Sequence, residues 1–374
     1  MSAEKKIRVL IVDDSAFMRK VLRGIISADS ALQVIGEARD GREAVSLAQS
    51  LDPDVITMDI MMPHVDGLEA IELIMSQHPR PIVIVSSESR EGAASTLRGL
   101  SLGAIDFVAK PKSGVDLDMN LVRDELSRKL RLAAKVRVVR TATRPKSSVS
   151  AAPQTQSQPQ RAAAQENEPP DPPNDSTRIP IVVITASTGG PATLMRLVPK
   201  FRKDFPAAVL AVLHMPAAFT KQFSAQLAEA SRIRVKEAEE GEIAQPGTLY
   251  LCPGSHHVRL IAPRRISLDD GPRISGYRPC ANVAMQSVAE VAGNLSIGVV
   301  LTGMGNDGAE GALAIKSAGG LVIAEDESTA VIFGMPAEAI KTGAVAQVLP
   351  IDDIYPALEN RVLSLAHAHP VGVR

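Results

Sequence analysis

Residues 179–190 read Ile-Pro-Ile-Val-Val-Ile-Thr-Ala-Ser-Thr-Gly-Gly, and Pro191 follows. A short apolar, β-branched run ends in small residues and two glycines, after which a helical pattern opens on the proline. That order predicts a buried strand feeding a tight turn into a helix. Ser187 sits at the turn, where the first N–H groups of a helix lack intrahelical acceptors and are free to face a developing oxyanion. Its hydroxyl is therefore either a nucleophile or a plain helix cap. The residues that decide between these lie elsewhere in the chain.

The 374 residues suffice for two domains of ordinary size. A composition of 45% hydrophobic and 22% charged residues is globular, and a net charge of −1 favours neither nucleic acid nor an anionic membrane. Aromatic residues make up 3%, with no Trp, which leaves few platforms for stacking bases. Cys252 and Cys280 are the two cysteines. Their spacing suits neither a zinc site nor a disulfide framework, so both are expected as reduced, small buried residues in a cytoplasm. The N-terminal sequence carries no signal-peptide pattern, and no apolar run approaches the ~20 residues of a membrane span. Direct membrane insertion is not expected.

From Ile7 to about Leu132 the pattern alternates strand and helix. Strands are predicted at Ile7–Val12, Leu32–Glu37, Val55–Met58, Ile82–Val85 and Ile105–Val108. Apolar strands separated by amphipathic stretches imply a parallel sheet covered on both faces, with its chemistry at the carboxyl ends of the strands. Asp13 and Asp14 follow the first strand, Asp59 the third, Ser86 the fourth and Lys110 the fifth. Carboxylates sharing one crevice repel one another unless a hard cation sits among them, and Mg²⁺ suits such oxygen ligands. From 137 to 178 the texture turns to Pro, Gln, Ala and Ser without apolar periodicity, as in Gln-Thr-Gln-Ser-Gln-Pro-Gln. Such a segment reads as a flexible linker, with a coil span of roughly 35 Å.

Beyond it, strands are predicted at Ile181–Ile184, Ala208–Leu213, Ile297–Leu301, Leu321–Ala324 and Val345–Leu349. The turn-rich middle, 232–278, carries short strands near Thr248–Leu251 and Val258–Ile261 and reads as a local antiparallel insertion. Three polar residues follow three of the main strands: Ser187, His214, and Asp307 within Thr-Gly-Met-Gly-Asn-Asp-Gly. In a parallel sheet those ends share one rim, so the three can converge as nucleophile, general base and orienter of the imidazole. The glycines around Met304 allow close backbone approach and an oxyanion-hole N–H from Met304 or its neighbours.

Asp-Asp-Ser at 13–15, Met-Asp-Ile-Met-Met-Pro-His-Val-Asp-Gly at 58–67, Ser-Ser at 86–87 and Phe-Val-Ala-Lys-Pro at 107–111 resemble a response-regulator receiver domain. That resemblance implies a phosphoryl-accepting Asp59 served by a histidine kinase, with Mg²⁺ held by Asp14 and Asp59. It further implies phosphate contacts from Ser86 and Lys110, and Phe107 as a switching aromatic. Ala-Ser-Thr-Gly-Gly at 186–190, His-Met-Pro at 214–216, Leu-Thr-Gly-Met-Gly-Asn-Asp-Gly at 301–308 and Phe-Gly-Met-Pro-Ala-Glu-Ala-Ile at 333–340 are similar to the chemotaxis protein-glutamate methylesterases (CheB). This second resemblance spans almost the whole chain. It implies a cytoplasmic, phosphorylation-regulated serine hydrolase for methyl esters, and some glutamine amides, on chemoreceptors. Its catalytic residues are Ser187, His214 and Asp307, with no cofactor in the catalytic domain.

The expected fold is α/β, with two doubly wound, mostly parallel sheets. A (βα)5 receiver at 1–136 and a linker at 137–178 precede a Rossmann-like methylesterase domain with a small antiparallel insertion at 179–374. Four positions depart from the family pattern, among them Leu213 in place of a usual Gln before His214. Thr185 stands where Gly is usual and is expected to crowd the turn, while Cys280 and Asn282 replace a usual Ser and Asp. They leave two alternatives to chemotactic demethylation: a paralogue serving a non-flagellar chemosensory system, or a catalytically weak phospho-dependent module.

Overall fold

The computed structural model describes residues 5–87, 89–110, 116–136 and 178–368. The predicted linker thus lies outside the described residues except for Arg178. In the N-terminal part, strands β1 (Ile7–Val12), β2 (Leu32–Ala38), β3 (Val55–Met58), β4 (Ile82–Ser86) and β5 (Asp106–Ala109) alternate with helices α1 (Ala16–Ala28), α2 (Gly41–Leu51), α3 (Gly67–Gln77), α4 (Arg90–Ser101) and α5 (Asp116–Ala133). All pairings are parallel, in the order β2-β1-β3-β4-β5. The order reverses between β1 and β3, and Asp13, Asp14 and Asp59 stand at that switch point. Helices α1 to α4 start on Ser15, Asp40, Asp66 and Ser89, and each cap side chain accepts the N–H three residues on.

The C-terminal part runs β6 (Ile181–Ala186), α6 (Gly190–Leu197), β7 (Ala208–Leu213), α7 (Ala217–Ala230), β8 (Arg234–Glu237), β9 (Thr248–Leu251), β10 (His257–Ile261), β11 (Arg265–Asp269), α8 (Ala281–Ala292), β12 (Ser296–Val300), α9 (Ala309–Ser317), β13 (Leu321–Glu325), α10 (Met335–Lys341), β14 (Gln347–Leu349) and α11 (Ile351–Ala368). Seven of these strands form a parallel sheet in the order β14-β13-β12-β6-β7-β9-β8. Every residue of β6, β7 and β12 is buried, as strands covered on both faces require.

One expectation is corrected here. Thr248–Leu251 does not belong to the antiparallel insertion: it pairs in parallel with β7 and β8 inside the main sheet. The antiparallel element is the hairpin of β10 and β11. All four residues of Thr248–Leu251 are buried, and that full burial, invisible in so short a segment, is what assigns it to the sheet interior.

One cluster of buried apolar side chains runs from Met58, Ile84, Leu97 and Phe107 into Leu213, Phe219 and Phe223. The Phe107 and Phe219 rings lie 4.3 Å apart, tilted by 40°. Helix α4 packs on α7 and α6. The first sheet's β5 and α4 are therefore joined to the start of α7, three residues beyond His214. Among the described residues, no helix is long and apolar enough to cross a membrane.

Candidate active site

Strand order in the second sheet reverses around β6, with β7 on one side and β12 on the other. The loops after these three strands carry Ser187, His214 and Asp307, so the topology delivers all three to one crevice. Ser187 follows the last residue of β6. Its N–H donates to Thr302 O at 3.0 Å and its carbonyl accepts from Gly190 N at 2.7 Å. The bend that follows needs glycine twice. Gly189 has φ of +80°, and a Cβ on it would lie 2.6 Å from Val331 Cβ; one on Gly190 would lie 2.5 Å from Leu213 Cδ1. His214 is tied to the same strand end, its N–H donating to Ala186 O at 3.2 Å.

His214 Nε2 lies 2.8 Å from Asp307 Oδ2. Its other nitrogen, Nδ1, is buried and has no hydrogen-bond partner. The carboxylate can only accept, which puts the proton of the neutral ring on Nε2 and the lone pair on Nδ1. Asp307 also accepts from Ala281 N at 2.7 Å, Asn282 N at 2.9 Å and Cys280 Sγ at 3.1 Å. Burial works to raise the Asp307 carboxyl. The His214 hydrogen bond and charge, with the Ala281 and Asn282 N–H groups, outweigh it and hold the group below the usual carboxylate range.

The N-termini of this domain's helices explain why such a carboxylate can be buried. Helices α6 to α10 start on Gly189, Pro216, Cys280, Gly308 and Gly334, none with a side-chain cap bond of its own. The free N–H groups at the start of α8 go to Asp307, in the loop before α9. In return, Asn282 Oδ1 of α8 accepts from Gly308 N and Gly311 N at the start of α9, both at 2.9 Å. Each helix start is capped by a residue of the other. Replacing Asn282 by Ala should remove this cap and cost about 1–2 kcal/mol. A thermal-unfolding scan should show a lower Tm, whereas Asn282→Asp, which keeps the acceptor, should retain most of the stability.

Three of the four departures find their places. Thr185 does not crowd the turn: it lies within β6 between Val300 and Val212, and its hydroxyl donates to Val299 O at 3.3 Å. A β-branched residue suits a strand, and the turn begins only at Ser187. Asn282 spends its carboxamide oxygen on α9. Cys280 is buried and free, as expected of a small core residue, but it also donates to Asp307. Burial and the Asp307 charge push its thiol up to about 12, so it keeps its proton.

Met304 lies in the loop over Ser187. A Cβ on Gly303 would come within 2.8 Å of Ser187 Cβ and 3.0 Å of Ser187 N, so only glycine admits the loop this close. Gly303 O accepts from Gly334 N at 3.1 Å and Met335 N at 2.8 Å. In a trans peptide the Met304 N–H points opposite that carbonyl, away from α10. Among the described residues it has no acceptor. The Met304 Sδ is met by Arg128 Nη1 of α5 at 3.7 Å.

Sequence reasoning missed three residues. Thr302 donates to Thr188 O at 3.0 Å, accepts from Ile332 N at 2.9 Å and presents its N–H to Glu325 Oε2 at 2.8 Å. Glu325 is fully buried, and burial pushes its carboxyl up. A charged residue ending the apolar run Leu-Val-Ile-Ala-Glu was its only signal. Tyr277 lies over the His214 ring, and nothing in the sequence announced it.

At the first sheet's switch point, ligand oxygens of Asp13, Asp14 and Asp59 lie within 4.8 Å of one another. Lys110 Nζ reaches Asp59 Oδ2 at 2.7 Å and Asp13 Oδ2 at 2.9 Å. Burial raises the Asp59 carboxyl despite Lys110. Three carboxylates against one ammonium leave an excess of negative charge and an all-oxygen donor set, which fits a hard divalent cation such as Mg²⁺. Ser86 is buried beside them, its hydroxyl donating to Gly92 O of α4 at 3.3 Å.

The sequence family described as CheB methylesterase matches residues 182–358, and that described as response regulator receiver domain matches residues 9–122. The chain is similar to the protein-glutamate methylesterase/protein-glutamine glutaminase of Pyrococcus horikoshii, 44% identical over 363 residues that cover 94% of this chain and 92% of that one. Its counterpart in Symbiobacterium thermophilum is 43% identical over 362 residues, covering 96% and 98%. Among solved structures, the Thermotoga maritima CheB methylesterase catalytic domain matches with 41% identity and a TM-score of 0.48, covering 50% of this chain and 100% of that one.

Proposed function

The chain belongs to the protein-glutamate methylesterase/protein-glutamine glutaminase family, and from that premise we propose a serine-hydrolase mechanism under the control of Asp59. The chain is a protein-glutamate methylesterase and glutaminase with a receiver domain, acting in two-component chemotactic signalling. Its two alternatives, a non-flagellar paralogue and a catalytically weak module, are not favoured. We divide the chain into a receiver at 1–136, a flexible linker at 137–178 and a hydrolytic domain at 179–374, the last working without a cofactor, and place its action in the cytoplasm.

The observation that carries the assignment is the His214–Asp307 pair, which leaves Nδ1 as the unpaired basic nitrogen of a residue whose N–H is tied to Ala186 O, just before Ser187. Ser187 Oγ attacks the γ-carbonyl of a receptor glutamyl methyl ester or glutamine, and its proton passes to His214 Nδ1. Asp307 stabilises the imidazolium through Nε2. The Met304 N–H faces the oxyanion. The imidazolium gives its proton to the departing methanol or ammonia, and water then hydrolyses the acyl-enzyme to glutamate by the same base.

For control, a histidine kinase supplies the phosphoryl group to Asp59. Asp13, Asp14 and Asp59 would hold Mg²⁺, which offsets the charge of the phosphoryl oxygens when bound. Lys110 and Ser86 contact the phosphate. Drawing Ser86 Oγ to the phosphate takes it from Gly92 O, in the first turn of the helix that packs on α7. The Phe107–Phe219 contact and the Arg128–Met304 contact are the other links from receiver to rim. A fluorophosphonate probe tests the nucleophile. It should form an adduct on Ser187 by peptide mass spectrometry, and His214→Ala should suppress it; an adduct elsewhere would refute the assignment.

A further inference from the structure

Tyr277 lies on the catalytic histidine with a geometry that the hydrolytic reading does not use. Its ring is stacked on the His214 imidazole, with centroids 4.2 Å apart and planes 18° from parallel. A six-membered ring at that distance covers the imidazole face, Nδ1 included. Nδ1 has a lone pair to offer, yet it is buried from water and has no protein partner.

The loop that carries Tyr277 is braced. Ile274 and Tyr277 exchange both backbone hydrogen bonds, at 3.0 and 2.9 Å, across a two-residue turn. The turn residues Ser275 and Gly276 have φ of +51° and +86°, the left-handed pair that such a hairpin turn demands. Below it, Arg278 Nη1 donates to Asp270 O at 2.6 Å and Gly271 O at 2.8 Å. His257 Nε2 lies 3.1 Å from Pro272 O. On its far side the Tyr277 hydroxyl reaches the loop after Met304, where a Cβ on Gly305 would lie 2.5 Å from it. The ring is therefore carried on a backbone held on both sides, while residues 272–276 around it are exposed. An exposed loop so braced that places one aromatic ring flat on the general base is not explained by core packing.

We propose that Tyr277 is a positioning residue for the hydrolytic reaction: it holds the His214 imidazole in the one plane from which Nδ1 takes the Ser187 proton. This rests on the assignment of His214 as the base. A hydrogen bond to Asp307 fixes the ring at Nε2 alone and leaves rotation about that contact; a flat aromatic neighbour removes it. The face of the aromatic ring also favours the imidazolium formed when Ser187 gives up its proton. Among the described residues the phenol oxygen makes no hydrogen bond to His214 or Ser187, so the function belongs to the ring.

The test compares Tyr277→Ala, Tyr277→Leu and Tyr277→Phe in the full chain, with His214→Ala as reference. The readout is methanol release from methylated chemoreceptor membranes with saturating phosphodonor. Tyr277→Ala should lower kcat by about tenfold or more with KM changed less than about twofold. Tyr277→Phe should recover most of that loss and Tyr277→Leu should not. A wild-type kcat in Tyr277→Ala, an effect on KM alone, or equal recovery by Leu and Phe would each overturn the proposal. If His214→Ala itself keeps the wild-type rate, the hydrolytic assignment fails instead; if only Tyr277→Ala does, the assignment stands and the role of Tyr277 falls.

Discussion

Ser187→Ala is expected to lower methanol release from methylated receptors by about 10⁴-fold or more, with little change in Tm. A loss of that size corresponds to at least about 5.5 kcal/mol of transition-state stabilisation. It follows from what alanine leaves intact. The backbone of residue 187 is held by Thr302 O and Gly190 N, and neither bond involves the hydroxyl. Among the described residues the Ser187 hydroxyl makes no hydrogen bond, so its removal subtracts chemistry and little structure. His214→Ala should be nearly as severe, because the base and the nucleophile act as one unit and their losses do not add. Asp307→Asn should cost about 10²- to 10⁴-fold, and through a different route. A carboxamide can present its N–H₂ to Nε2, which moves the ring proton to Nδ1 and leaves no lone pair for Ser187. That N–H₂, standing where Oδ2 did, also faces the Ala281 N–H and leaves it without its acceptor, so this variant should lose stability as well as rate. Steady-state kinetics with a parallel melting curve separates the two effects.

The second large effect is at Asp59. A small-molecule phosphodonor should stimulate the wild-type chain about 5- to 100-fold, the range that an interdomain coupling of 1–3 kcal/mol supports, and Asp59→Asn should abolish the stimulation. Asp59 is 3% exposed and paired with Lys110, in a cluster whose excess negative charge is ready for a cation. Phosphorylation there replaces the single carboxylate charge with about two on the phosphoryl oxygens and brings new acceptors for Lys110 and Ser86. The Ser86 hydroxyl now serves the first turn of α4, and α4 packs on the helix that begins three residues after His214. Phe107 and Phe219 lie in the same apolar cluster. The Asp59 cluster and the crevice of Ser187 and His214 are thus joined by packed side chains, with Arg128 on Met304 as a second contact.

Much of this was legible in the sequence, and particular residues show why. In parallel sheets every functional side chain follows a strand, so Asp13, Asp59, Lys110, Ser187, His214 and Asp307 could be picked from strand ends alone. The structure brings His214 to Asp307 and Lys110 to Asp59 as that rule requires. Beyond the reach of periodicity were contacts set by loops. Tyr277 reaches His214 through a hairpin between elements, and Glu325 reaches Thr302 across two neighbouring strands. Thr248–Leu251 was misplaced because four residues cannot tell an insertion strand from a sheet strand, whereas full burial can. The substitutions Thr185, Cys280 and Asn282 looked in sequence like departures from function. In the fold, Thr185 is a strand residue, while Cys280 donates to Asp307 and Asn282 caps the helix that follows it.

The most direct test joins both halves. Methanol release from methylated chemoreceptor membranes is measured for wild type, Ser187→Ala and Asp59→Asn, each with and without phosphodonor. The account predicts phosphodonor-stimulated release by wild type, an unstimulated basal rate from Asp59→Asn, and no release above background from Ser187→Ala under either condition. Release by Ser187→Ala at the wild-type rate, or undiminished stimulation of Asp59→Asn, would contradict it.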